Sequence, residues 1–224
     1  MVRDYRYEFL LAGLLIFVAV IPIADQFLGD AGYVASRLAY VALLLLGAAS
    51  LRPSRRWFVA GIGLAAVGVA GNLAALVWPS TALIVAATIT FVAFAILIIL
   101  LALADVLFRG RADAHKIVGA VCIYLLVGVV WMLLYNLAET IVPGSFEGLG
   151  GTLHRERVTE LLYYSFVTLS TLGYGDISPV GPLARVLAWS EAVFGQLYLT
   201  ILVAALVGMH ISSRHRDQET ASST

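Results

Sequence analysis

In the stretch Thr168-Leu-Ser-Thr171-Leu-Gly-Tyr-Gly-Asp176, two glycines, Gly173 and Gly175, alternate with the bulkier Leu172 and Tyr174. Glycine tolerates the positive φ angles that other residues avoid, so the run is a poor helix. A chain that alternates left- and right-handed backbone turns successive carbonyls toward one side. A row of carbonyl oxygens on one side is what a dehydrated monovalent cation needs in place of its water shell. The chemistry offered is therefore ion coordination by the main chain.

The elements around this stretch must hold it in place. Before it lies a short apolar run, Leu161 to Leu169, and after it a long one beginning near Leu183. The short run cannot cross a bilayer and must enter and return on the same side. Irregular backbone at membrane depth survives only where protein or a water-filled cavity surrounds it. Thr159 and Glu160 suit the start of a helix, where a capping oxygen and a negative charge are favourable. The other end is expected to point free carbonyls toward the membrane centre. A half-helix followed by a glycine-containing extended segment reads as a re-entrant pore loop.

The rest of the chain supports a membrane setting. Its 224 residues are 61% hydrophobic and only 12% charged, about half the charge of a soluble domain. Hydropathy predicts an all-α membrane protein with six transmembrane helices and the re-entrant element between the fifth and sixth. The spans run from Tyr7 to Ala24, Val34 to Leu51, Trp57 to Trp78, Thr81 to Phe108 and Ile117 to Leu137, with the last from Pro182 to near Ile211. The third is rich in small residues (Gly61, Gly63, Gly68, Gly71), which permit close helix packing. The single cysteine, Cys122, has no partner in the chain and reads as an inert residue in an apolar run.

The pattern Thr-x-x-Thr-x-Gly-Tyr-Gly-Asp resembles the selectivity filter of the potassium channel family. The resemblance covers roughly Lys116 to Arg214 and divides the chain into three parts. Residues 1–112 form a four-helix scaffold, 113–212 a potassium channel pore domain, and 213–224 a disordered cytoplasmic tail. It implies K+ sites on the carbonyls of Thr171, Leu172, Gly173 and Tyr174, with the Thr171 hydroxyl closing the inner end. Thr168, Gly175 and Asp176 support the filter, and Asp176 braces its outer mouth. Gly195 falls at the family's hinge glycine, or serves close helix packing. Ala204 and Gly208 fall near the inner-helix crossing and are gate candidates. Leu172 stands where valine is commoner, Tyr163-Tyr164 where paired tryptophans are common, and Val167 where some members carry a glutamate. No cofactor is implied beyond K+ as the permeant ion. Since one strand supplies a quarter of a coordination ring, the resemblance implies a homotetramer.

Orientation and subtype follow from the basic residues. An even number of spans puts ten Lys and Arg on the side of the termini and four on the other. Both termini are therefore expected in the cytoplasm, in a plasma or prokaryotic inner membrane. Between Trp57 and Phe108 there is no Lys or Arg. A voltage sensor needs several, each contributing about 2.3 kcal/mol per 100 mV, so little intrinsic voltage dependence is expected. Glu191 lies inside the sixth span, where a carboxylate is costly unless paired or wet. It pairs with Arg185 or reaches the pore helix, in a structural or a gating role. His210 and His215 lie near the inner mouth, where imidazoles would sense internal pH.

Other functional classes find little support. A net charge of zero offers no basic field for nucleic acid. Neither HExxH nor Gly-x-Ser-x-Gly occurs, and the four histidines are scattered, so an enzyme is not expected. No soluble ligand domain is expected after the last span, and the first apolar run reads as a retained span. Two alternatives stay open: a non-selective monovalent cation channel on the same architecture, and a non-conducting membrane scaffold.

Overall fold

The computed structural model describes residues 6–20, 22–23, 27, 55–78, 80–108, 114–150 and 154–222. Among these, six α-helices and two very short strands occur. Helix α1 (Arg6–Leu15) leads into one π-helical turn, Ile16–Val20. Helices α2 (Arg55–Val77) and α3 (Thr81–Phe108) are joined at Pro79-Ser80, and α4 spans Ala114–Ile141. The short helix α5 (His154–Leu169) precedes the glycine-containing segment, and α6 runs Pro182–Ser222. Among the described residues, three helical stretches are long and apolar enough to cross a membrane, Thr81–Ala104, Lys116–Ile141 and Pro182–Ala205. They coincide with the fourth, fifth and sixth expected spans. Helix α2 occupies the third, and α1 with its π turn the first part of the first. The second expected span, Val34 to Leu51, lies outside the described residues.

Helix α4 is the hub of the packing. It lies against α1, α3, α5 and α6, while α2 packs on α3. Tyr135, Met132 and Leu126 of α4 are buried with Leu10 and Leu14 of α1, Phe94 of α3 and Leu161 of α5. The small residues of α2 bring it close to its neighbour. A Cβ placed on Gly68 would lie 3.4 Å from the Phe91 ring, and one on Gly71 3.4 Å from Ala87 Cβ.

Three features depart from the sequence expectation. Helix α5 starts at His154, so Thr159 and Glu160 lie within it and do not cap it. Arg155-Glu-Arg157 are good helix formers and extend the helix upstream. The Glu160 carboxylate instead accepts the Gly150 N–H at 3.2 Å. Helix α6 continues to Ser222, through residues expected to be disordered. Adding residues to a helix already nucleated in the membrane is far easier than starting one. Finally, a small antiparallel ladder interrupts the all-α design: β1 (Phe146–Glu147) pairs with β2 (Ser178–Pro179), Phe146 opposite Pro179.

Candidate functional site: a carbonyl-lined segment between two helices

The end of α5 determines how the glycine-containing segment begins. Thr171 N–H donates to Thr168 O at 2.9 Å, and Leu172 N–H to Val167 O at 2.9 Å. These two bonds make a Schellman closure, in which the residue after the helix end adopts left-handed backbone, usually as glycine. Here that residue is Thr171, with φ of 59°, the sole non-glycine at positive φ among the described residues. Gly173 (φ 58°) and Gly175 (φ 79°) follow, with Leu172 and Tyr174 between them at negative φ. The alternation expected from the glycines is present, and it starts two residues earlier, at Thr171.

The helix end itself differs from expectation. Its carbonyls do not project free. Phe166 O accepts Ser170 N–H at 3.1 Å, and Val167 O accepts both Leu172 N–H and, at 3.3 Å, Gly173 N–H. The helix dipole still directs its negative end toward the segment, but the last turn is largely closed by the segment it launches.

Side chains and close backbone contacts hold the segment from several directions. On its inner side, Gln196 Nε2 of α6 donates to Thr171 Oγ1 at 3.1 Å, and that hydroxyl donates to Ser170 O at 2.7 Å. At its outer end, the Tyr163 hydroxyl hydrogen-bonds the Asp176 carboxylate, tying the segment back to α5. The neighbouring Tyr164 bonds Thr168. Gly148, at φ 88°, lies so close that a Cβ would sit 2.0 Å from Asp176 O. Beyond Asp176, Val180 N–H and Gly181 N–H both donate to Ser145 O, at 2.9 and 3.1 Å. Ser145 is fixed in turn by Glu139, whose buried carboxylate accepts the Gly144 and Ser145 N–H groups at 2.8 and 2.9 Å. The outer loop is thus tied to the mouth of the segment at several points.

Behind the segment, α5 is wedged between α4 and α6. Tyr135, Phe146 and Tyr164 pack edge to face with ring centroids 5.0–5.4 Å apart. Glu191 is completely buried. It does not reach Arg185, whose Nε donates to Pro179 O at 3.1 Å. Its carboxyl meets the Tyr135 hydroxyl of α4 and the Ser165 hydroxyl of α5. Of the two partners foreseen for Glu191, the pore-helix side is occupied. Gly195 has the packing role that was one of its two expected readings, since a Cβ there would lie 2.2 Å from Leu169 O at the end of α5. Ala204 is exposed further along α6, and Gly208 lies on the same helix.

Sequence reasoning missed Gln196, Tyr135, Ser165, Gly128 and Gly148. Gly128 is tight against α5, with a Cβ position 2.8 Å from the Phe166 ring. Gln196 carries a visible signal, being a polar residue in an otherwise apolar part of α6 one position after Gly195. Gly128 and Ser165 carry none, because small residues are common in membrane helices.

Comparison with known proteins agrees with this geometry. Residues 120–211 match the family model described as "Ion channel". The chain is 38% identical over 66 residues to two pore potassium channel c of Oryza sativa subsp. japonica, covering 30% of this chain and 14% of the relative. It is 31% identical over 88 residues to the inward rectifier potassium channel Kirbac3.1 of Paramagnetospirillum magnetotacticum, covering 38% and 26%. Two-pore potassium channel 5 of Arabidopsis thaliana shares 40% identity over 50 residues, covering 22% and 12%. The chain thus spans about an eighth to a quarter of the length of these relatives. No solved structure gives a significant match. Residues 120–211 thus carry an ion channel domain, and parts of the chain are similar to potassium channels.

Proposed function

We propose that the protein is a potassium-selective channel that conducts K+ passively through a pore built from four copies of the chain. The reading rests on the alternating backbone handedness at Thr171, Gly173 and Gly175. That alternation suits a stack of carbonyls, from Thr171 to Tyr174, replacing the water shell of a dehydrated cation. The Thr171 hydroxyl would close the stack at its inner end, where Gln196 holds it. Thr168, Gly175 and Asp176 act as its supports. One chain offers a single strand, so a complete ring requires a homotetramer around one axis.

The bias of basic residues favours both termini in the cytoplasm, in a plasma or inner membrane. The absence of Lys and Arg from Trp57 to Phe108 favours weak voltage dependence. Ala204 and Gly208 are the candidates for an inner gate.

The test is reconstitution into liposomes with a K+ gradient, followed by current or flux with K+ replaced by Na+. Reversal near the K+ equilibrium potential, block by barium, and loss of flux in Gly173→Asp are expected. Equal Na+ permeation would move the function to a non-selective cation channel. Flux unchanged in Gly173→Asp would remove the segment from the conduction path.

A further inference from the structure

Glu191 presents a problem of proton counting. Its Oε2 accepts from the Tyr135 hydroxyl, and its Oε1 lies 2.5 Å from Ser165 Oγ. The same Ser165 Oγ lies 2.7 Å from the Gly128 carbonyl oxygen. That is the separation of an O–H···O hydrogen bond, yet Ser165 has one hydroxyl proton and two acceptors within reach.

An ionised Glu191 can only accept. It would take the Ser165 proton, leaving Ser165 Oγ and Gly128 O in contact with no proton between them. Alternatively Ser165 would give its proton to Gly128, and a buried carboxylate oxygen would face a bare hydroxyl oxygen. A neutral Glu191 resolves both contacts. Tyr135 donates to Oε2, the acid proton on Oε1 goes to Ser165 Oγ, and Ser165 donates to Gly128 O. Three protons then serve three hydrogen bonds.

Among the described residues, no charged group is found to compensate the carboxyl. The titratable groups facing the carboxyl are phenols: Tyr135 and Tyr124 of α4, and Tyr164 of α5. Arg185, on the same helix, is engaged with Pro179 O. A buried carboxylate without a cationic partner is strongly disfavoured, and the group takes a proton instead.

We infer that Glu191 is carried as a neutral carboxylic acid and acts as a positioning residue for the pore helix, its proton joining the inner helix to Ser165 while Tyr135 joins it to the outer helix. One uncharged side chain thereby links α4, α5 and α6 six residues before Thr171. The Ser165–Gly128 bond completes the tie, and it depends on Glu191 keeping its proton. The inference goes beyond the conduction reading, because it concerns which species holds α5 in place and stands whatever ion passes.

The primary test is infrared spectroscopy of the purified full-length protein at neutral pH. A carboxylic acid C=O stretch is expected in the wild type and absent in Glu191→Gln. A wild-type spectrum with no acid band overturns the inference, and this arm needs no variant to fold. The second arm compares Glu191→Gln with Glu191→Ala for thermal stability of the protein in detergent and for K+ flux in liposomes. The Gln amide reproduces both bonds, donating to Ser165 and accepting from Tyr135. Stability close to wild type and flux within about twofold of it are therefore expected for Gln, against a loss of tenfold or more for Ala. A Gln variant as impaired as the Ala variant would show that a negative charge is required, and would overturn the inference. Stability is read separately from flux, so a non-conducting wild type would defeat the channel reading and leave the Glu191 result interpretable.

Discussion

Helices α4 and α6 flank the same short helix, α5, and both carry a membrane-length apolar stretch, but they are buried very differently. Of the most apolar part of α4, 61% is buried within the chain, against 17% for that of α6. The difference comes from neighbours. Among the described residues, α4 packs against α1, α3, α5 and α6, whereas α6 packs chiefly against α4, α5 and the β2 edge. Its outer surface exposes Leu183, Val186, Trp189, Val193, Leu197 and Ile201. Apolar exposure alone is consistent with lipid. Gln196 and Thr171 are different, because polar groups exposed at membrane depth belong against water or protein. Helix α4 completes its packing within one chain. Helix α6 leaves an apolar face open, and the proposed tetramer with its water-filled axis would complete it.

This contrast can be broken or sharpened by substitution. The largest effect is expected at Gly195, where α6 meets the backbone end of α5. Gly195→Val places a Cβ 2.2 Å from Leu169 O, and neither backbone can yield cheaply. Loss of the proposed tetramer in native mass spectrometry and of K+ flux is expected. Unchanged assembly and flux would mean that the two helices do not meet there.

Next come paired deletions on the two helices. Met132→Ala empties a fully buried position on α4 and should destabilise the chain by about 2–5 kcal/mol in any oligomeric state. Leu197→Ala, on the exposed face of α6, should lower the stability of the proposed tetramer while leaving the dissociated chain nearly unchanged. Thermal unfolding before and after dissociation separates the two. If Leu197→Ala weakens the single chain as much as Met132→Ala does, the contrast between the helices fails.

A smaller effect is expected at Gly128. An added methyl meets the Phe166 ring at 2.8 Å, and a ring can shift where a backbone cannot, so Gly128→Ala should cost about 1–3 kcal/mol. The smallest tests the direct tie between the two helices. Trp131 Nε1 of α4 donates to Leu187 O of α6 at 3.1 Å. Trp131→Phe should lower stability by about 0.5–1.5 kcal/mol, with K+ over Na+ preference retained in the flux assay.

Much of this arrangement was legible along the chain because its causes are local. Apolar runs of membrane length mark α3, α4 and α6, since a span must satisfy its own backbone hydrogen bonds. Gly173 and Gly175 announce left-handed backbone because they lack a Cβ. Thr171 is expected to offer its carbonyl and hydroxyl, and nothing in its type announces its φ. Its left-handed conformation is imposed by the closure of α5, against the ordinary preference of a β-branched residue. The start of α5 and the far end of α6 were misjudged because propensity is a weak guide where helix continuation competes with capping.

The sequence by itself determined the membrane setting, the positions of the apolar helices and the backbone segment able to offer carbonyls to a cation. Each follows from neighbouring residues. Only the tertiary structure decided what holds that segment. Glu191 finds Tyr135 and Ser165, Gln196 finds Thr171, Gly195 admits the end of α5, and β1 meets β2 beside the mouth. These partners lie 25 to 56 residues apart along the chain where they join through side chains. No local preference encodes such a meeting; it arises when packed helices bring distant polar groups together where lipid offers them no other partner.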